Sequence, residues 1–121
     1  MRAKLTPPVL ALVALAALGL TAGASARVDA PTTVTIREQS GDFHGKVKSS
    51  ANKCIDERKV ALYKQRGAEQ QPSEDKKVAT DNASTQGDWS TGNTGFEKGK
   101  FYARAKKIEG CQGDSSETVK V

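Results

Sequence analysis

From Val34 onward the chain alternates apolar and polar residues in short runs. Val34 and Ile36 flank Thr35 and share one face. After the turn-forming Gln39-Ser40-Gly41-Asp42, the residues Phe43, Gly45 and Val47 alternate with His44, Lys46 and Lys48, which predicts a hairpin. Residues 59–65 point Val60 and Leu62 one way and Lys59, Ala61 and Tyr63 the other. A polar stretch, residues 66–75, reads as a loop punctuated by Gly67 and Pro72. Two short strands follow, over 77–80 and 88–91, around a turn at 81–87, and Gly92-Asn93-Thr94-Gly95 makes another turn. The longest run covers 100–108, with Phe101, Ala103 and Ala105 opposite Tyr102, Arg104 and Lys106. Residues 116–121 close the chain with Val119 and Val121 inward. The pattern predicts an all-β fold, a seven-stranded antiparallel β-sandwich, with no helical periodicity.

The first 26 residues follow a different pattern. Arg2 and Lys4 precede an apolar run of twelve residues from Val9 to Leu20, and Ala24-Ser25-Ala26 fits the small-x-small cleavage rule. The run is shorter than the roughly 20 residues of a membrane-spanning helix. The expected organisation is a signal peptide over 1–26, cleaved near Ala26, and a single domain over 27–121. The mature chain is then secreted, extracellular or envelope-associated, with no membrane span. Removing the leader leaves seventeen basic against fourteen acidic residues, a mild excess. Basic and acidic side chains alternate locally, as in Asp56-Glu57-Arg58-Lys59, so the sequence shows no concentrated patch for nucleic acid. The doublets Lys76-Lys77 and Lys106-Lys107 read as solvated faces.

Leu, Ile, Val and Phe together number only fourteen in residues 27–121, a sparse core. The chain's two cysteines, Cys54 and Cys111, compensate. An even count in an exported chain predicts a disulfide. Closing that loop removes on the order of 4 kcal/mol of unfolded-chain entropy in the chain-entropy model. Cys54 precedes the third predicted strand and Cys111 follows the sixth, so the bridge is expected to join loops at one end of the sandwich. Trp89 is the largest candidate core side chain, expected over an end of the core, with Phe43, Phe101 and Phe96 as its packing partners.

Three segments carry a resemblance. Val78-Ala79-Thr80-Asp81, Gly87-Asp88-Trp89-Ser90 and Gly99-Lys100-Phe101-Tyr102-Ala103 resemble the turn and strand of transthyretin-like and carboxypeptidase-regulatory-like (prealbumin-like) sandwiches. Phe43-His44-Gly45-Lys46-Val47 and Arg58-Lys59-Val60-Ala61-Leu62-Tyr63 look like the opening strands of such modules. The likeness spans roughly residues 32–121. It implies a prealbumin-like sandwich of the kind found in small secreted bacterial proteins of unassigned role. The turn is longer than the family's usual one, and the two cysteines are not part of its pattern. The hydroxyisourate hydrolase branch of that family uses several histidines and a C-terminal Tyr-Arg-Gly-Ser, whereas this chain has His44 alone and ends Thr118-Val119-Lys120-Val121.

Candidate chemistry is thin. His44 is the sole imidazole, and no motif sets a nucleophile beside it. The supply of His, Cys and Met excludes a blue-copper site, and two isolated thiols do not make a zinc site. Ser50 and Lys53, and Ser73 and Lys76, match the S-x-x-K spacing without its companion motifs. Asp81 and Asp88 flank a segment without the alternating acids of an EF-hand loop. Asn82-Ala83-Ser84 is a glycosylation sequon. No catalytic, cofactor-binding or metal residues are expected, and no cofactor. The expected function is a non-catalytic binding or structural module. Its partner is an unidentified extracellular or envelope component and not nucleic acid. An inhibitor or effector acting through residues 66–75, or a small hydrolase using His44, is the alternative.

Overall fold

Alternation becomes two antiparallel sheets in the computed structural model, which describes residues 28–95 and 98–121. The expected leader, the cleavage expected near Ala26, and Phe96 fall outside the described residues. Among the described residues nine strands run in chain order: β1 (Thr32–Val34), β2 (Arg37–Gln39), β3 (Asp42–Ser49), β4 (Lys59–Gln65), β5 (Lys76–Asn82), β6 (Asp88–Asn93), β7 (Lys100–Ala105), β8 (Asp114–Ser115) and β9 (Val119–Lys120). One sheet has the order β8-β7-β4-β5, with β9 also paired to β7. In the other, β1 and β2 pair with β3, and β6 pairs with β3 on its opposite edge.

Nine strands rather than seven arise because two arms are each interrupted, and the two interruptions share a cause. In the first arm, Val34 faces Val47 and Arg37 faces His44, so the pairing stays in step across the gap. At the gap, the Thr35 hydroxyl accepts the Lys46 N–H at 3.0 Å in place of the Thr35 carbonyl. That freed carbonyl accepts the Trp89 indole N–H at 3.1 Å. Between β8 and β9, the Ser116 hydroxyl accepts the Ala103 N–H at 2.8 Å, while the Ser116 N–H donates to the Ala103 carbonyl. The Ser116 carbonyl, released from the ladder, accepts from the Gln70 side-chain amide at 2.8 Å. In each case a hydroxyl serves as ladder acceptor while a main-chain oxygen takes a distant partner.

Both sheets contribute to one buried cluster. Val34, Ile36, Phe43, Val47 and Trp89 come from the four-stranded side, and Val60, Leu62, Phe101, Ala103 and Ala105 from the five-stranded side. The Phe43 and Phe101 rings meet across the interface with centroids 4.7 Å apart. Trp89 is buried to 2 % exposure within this cluster, where its indole N–H has an acceptor, as a buried indole requires. The hairpin turn between β2 and β3 places Ser40 at φ 52 and Gly41 at φ 86, the left-handed pair that suits a two-residue connection.

The run from Lys100 stops as a strand at Ala105 rather than Ile108. Residues 108–111 fold back on themselves, with Ile108 and Cys111 exchanging backbone hydrogen bonds around Gly110 at φ 83. Cys54 lies in a 3-10 turn, Asn52–Cys54, and bonds to Cys111 with Cα atoms 5.6 Å apart. The disulfide thus joins two loops, and both cysteines are fully buried.

Gly45 explains why the first break can exist. A Cβ there would sit 2.0 Å from the Thr35 carbonyl oxygen and 2.9 Å from the Trp89 indole nitrogen. Gly45→Ala is therefore expected to push Thr35 off Trp89 and destabilise the fold by about 1–3 kcal/mol, the usual cost of overpacking. Denaturant unfolding followed by tryptophan fluorescence checks this. An unchanged midpoint and emission maximum would contradict the close approach.

Candidate functional site

The face of the five-stranded sheet that points away from the shared core is not uniformly wet. At one end Tyr63 and Tyr102 stack with ring centroids 5.3 Å apart and close to parallel. With Ala61 they form a second small buried cluster. The polar segment 66–75 lies beside them, tied down by its own side chains. The Asp75 carboxylate accepts from the Tyr102 hydroxyl at 2.6 Å, the Arg66 N–H at 2.9 Å and the Gln71 N–H at 2.8 Å. Gln70 donates to Ser116 and Thr118, and the Lys100 ammonium donates to the Gly67 carbonyl. Sequence reading identified the loop but not this anchoring, which joins positions 27 residues apart in the case of Asp75 and Tyr102.

The other end of the same face carries a cleft of about 460 Å³. Its floor comes from β4 and β7, where Ala61 pairs with Arg104, together with Lys59 and, from β5, Lys77. Its rim comes from residues 53–58 and 106–108, the two segments beside the disulfide. Seven of the eleven lining residues are lysine or arginine against two carboxylates, Asp56 and Glu57. The concentrated charge corrects the expectation from local alternation. Three stretches of sequence, 53–61, the neighbourhood of Lys77, and 104–108, place their cations at one spot. The lining offers ammonium, guanidinium and carboxylate groups, and no hydroxyl, thiol or imidazole is among its residues.

Arg58 builds the rim. Its residue is 3 % exposed, yet among the described residues the guanidinium has no carboxylate within 4.0 Å. Instead it donates to the Cys54 carbonyl at 3.0 Å, the Lys106 carbonyl at 2.7 Å, the Gln112 carbonyl at 2.9 Å and the Thr32 hydroxyl at 3.3 Å. Burial lowers its pKa, but a guanidinium starts so high that it stays charged at neutral pH. The planar fork of arginine suits this task, since one side chain reaches acceptors on several segments at once. No local feature of Asp56-Glu57-Arg58-Lys59 marks its third residue as the buried one. The N-terminal segment adds to the rim, with Ala30 paired to the Cys111 region and Asp29 ion-paired to Lys107.

The remaining candidates fall elsewhere. Trp89, Phe43 and Phe101 are core residues at 2 %, 0 % and 0 % exposure. His44 lies on the four-stranded sheet, half-exposed, with Nδ1 3.9 Å from Asp42 Oδ1. The Ser90 hydroxyl approaches the same Asp42 oxygen at 3.4 Å. The fold therefore gathers Ser90, His44 and Asp42, with the carboxylate between the other two. A relay for nucleophilic attack needs the imidazole in that middle position. Asp81 accepts from the Ser90 N–H at 2.8 Å, while Asp88 pairs with Lys46 at 2.7 Å, so the two carboxylates serve different partners. The 84–87 turn between them is closed by Ser84, whose hydroxyl accepts from the Gln86 and Asp88 N–H groups. No group of three or more potential metal ligands stands together among the described residues. Ser50 and Ser73, the serines of the two S-x-x-K matches, are exposed outside the strands. Among the described residues no helix is long and apolar enough to cross a membrane.

No protein-family model matches the chain, and no curated protein or solved structure matches it either.

The Asp75–Tyr102 contact gives a pH dependence. Burial pushes the Asp75 carboxyl up, but the hydrogen bonds from Tyr102, Arg66 and Gln71 and the Arg66 charge outweigh it, leaving a net lowering from 3.8. Burial first, then the hydrogen bond to Asp75, raises the Tyr102 phenol well above 10.0. A lowered carboxyl contributes stability that is present above its ordinary value and lost as pH falls below it. A raised phenol contributes stability that is present below 10.0 and lost as pH climbs past it. Asp75→Asn should therefore destabilise the fold at pH 7, by less than the about 1.5–3 kcal/mol of a hydrogen bond to a charged group, because solvent screens this carboxylate. The gap from the unsubstituted protein should close as the solution is acidified below pH 3.8. Urea unfolding of both proteins across pH checks this, and a gap independent of pH would contradict it.

Proposed function

We propose that the chain is a secreted, non-catalytic β-sandwich module, prealbumin-like in architecture, that binds a component of the cell envelope or its surroundings. The observation that carries this reading is the cationic cleft, whose rim is held by a disulfide and a buried arginine. A concavity that gathers cations from the sheet and from the two disulfide-linked segments supports recognition of an anionic partner. The leader-like residues 1–26 and the buried Cys54–Cys111 bond support an oxidising compartment. The two-sheet packing around Phe43 and Phe101 supports the sandwich, and the Val78–Asp81, Gly87–Ser90 and Gly99–Ala103 segments support its prealbumin-like affinity.

A second reading, an inhibitor or effector acting through residues 66–75, draws on the anchoring of that segment by Asp75, Gln70 and Lys100. A loop ordered before contact loses less entropy on binding. Ala68 and Glu69 at its outer part are exposed.

The test is a pull-down from the producer's envelope and culture fluid with the oxidised protein as bait. A retained component that is released by salt is expected, because cleft contacts are electrostatic. Retention of nothing would count against the binding reading. Retention that survives salt but disappears on replacing residues 66–75 would shift the assignment to the loop.

A further inference from the structure

We propose that the cleft at the disulfide end binds an acidic polysaccharide, a glycan chain carrying repeated carboxylates. This rests on the binding-module reading and names the partner's chemistry. The first ground is unspent charge. Of the cleft cations, Lys107 pairs with Asp29, whereas Lys53, Lys59, Lys77, Arg104 and Lys106 have no carboxylate within 4.0 Å among the described residues. Like charges held together on a sheet repel one another, and a polyanion relieves that repulsion.

The second ground is the mixture of groups. Lysines dominate, and an ammonium is a hydrated point charge that tolerates varied spacing, unlike the bidentate fork of arginine. Asp56 and Glu57 stand exposed in the same lining and supply acceptors. A chain of acidic sugars offers both complements, carboxylates for the lysines and hydroxyl donors for the two acids. A uniformly anionic partner would leave Asp56 and Glu57 opposed by like charge.

The third ground is what the lining omits. Its apolar residues are Ala61 and Ile108 alone, so the rest of its apolar surface is the stems of lysine and arginine, which lie along a sugar ring as readily as along a side chain. Tyr63, Tyr102, Trp89, Phe43 and Phe101 are all buried, so none offers a platform for stacking bases. The cations line a concavity, while reading a duplex requires a helix or ribbon that enters the groove.

The experiment titrates polygalacturonate into the oxidised protein at low and high salt, with dextran, poly-glutamate and single-stranded DNA as comparators. Binding of polygalacturonate that weakens with salt, and no binding of dextran, is expected. Lys59→Glu with Lys106→Glu, both exposed, should lower the affinity by about tenfold or more. Lys48→Glu with Lys120→Glu, exposed and outside the cleft, should change it by less than about twofold. Melting curves verify that both variants fold. Equal losses from the two pairs, binding of poly-glutamate or DNA as tight as that of polygalacturonate, or no binding at low salt would each overturn the proposal. The envelope pull-down separates this failure from that of the wider reading. A partner still held by the Lys59→Glu/Lys106→Glu protein leaves a binding module without the glycan cleft, whereas a bait that holds nothing removes the module reading itself.

Discussion

Arg58 carries its charge to 3 % exposure, and the oxygens around it belong to four different stretches of chain, at Thr32, Cys54, Lys106 and Gln112. A buried charge without a counter-ion costs several kcal/mol unless its donors are satisfied. Here the donors meet three main-chain carbonyls that would otherwise point, unpaired, into a loop-rich end of the molecule. The disulfide ties Cys54 to Cys111 beside the same guanidinium. Covalent bond and hydrogen bonds divide the work. The bridge limits how far the two loops separate, and the arginine fixes how they face one another. The cleft rim is the direct result, since residues 53–58 and 106–108 are the segments so fixed.

A sparse core makes such anchoring necessary. The shared cluster relies on a few large side chains, chiefly Trp89, Phe43 and Phe101, and on small alanines in β7. Polar contacts supply what burial does not, and they recur in one form. Thr35 and Ser116 each lend a hydroxyl to the sheet ladder and release a carbonyl to Trp89 or Gln70. One break secures the core, and the other secures the 66–75 loop. Both serve tertiary structure at the cost of strand length.

Legibility of the fold in the sequence followed the same division. Period-two runs at Phe43–Val47 and Lys100–Ala105 revealed strands because burial on one face imposes alternation. The cysteines revealed their pairing because two were present and the leader pattern implied oxidation. The splits at Thr35 and Ser116 stayed hidden, since a hydroxyl acting as a ladder acceptor looks like any strand threonine or loop serine. Gly45 did leave a signal, because a glycine within a strand pattern marks a close approach of another group. The cleft left none. Its charges are scattered over sequence from Lys53 to Lys107, and only the strand pairing and the loop closure bring them together. The Asp75–Tyr102 contact was equally silent, because nothing local relates the two positions.

If Arg58 positions the disulfide-end loops, amide hydrogen exchange on Arg58→Lys with the disulfide intact will report their release. A single ammonium cannot reach the Cys54, Lys106 and Gln112 carbonyls together. Exchange at Ile108, Cys111 and Gln112 should rise by about tenfold or more, while amides of β4 in the sheet change little. Protection at those three positions equal to that of the unsubstituted protein would show that the disulfide alone holds the rim, and would contradict the account.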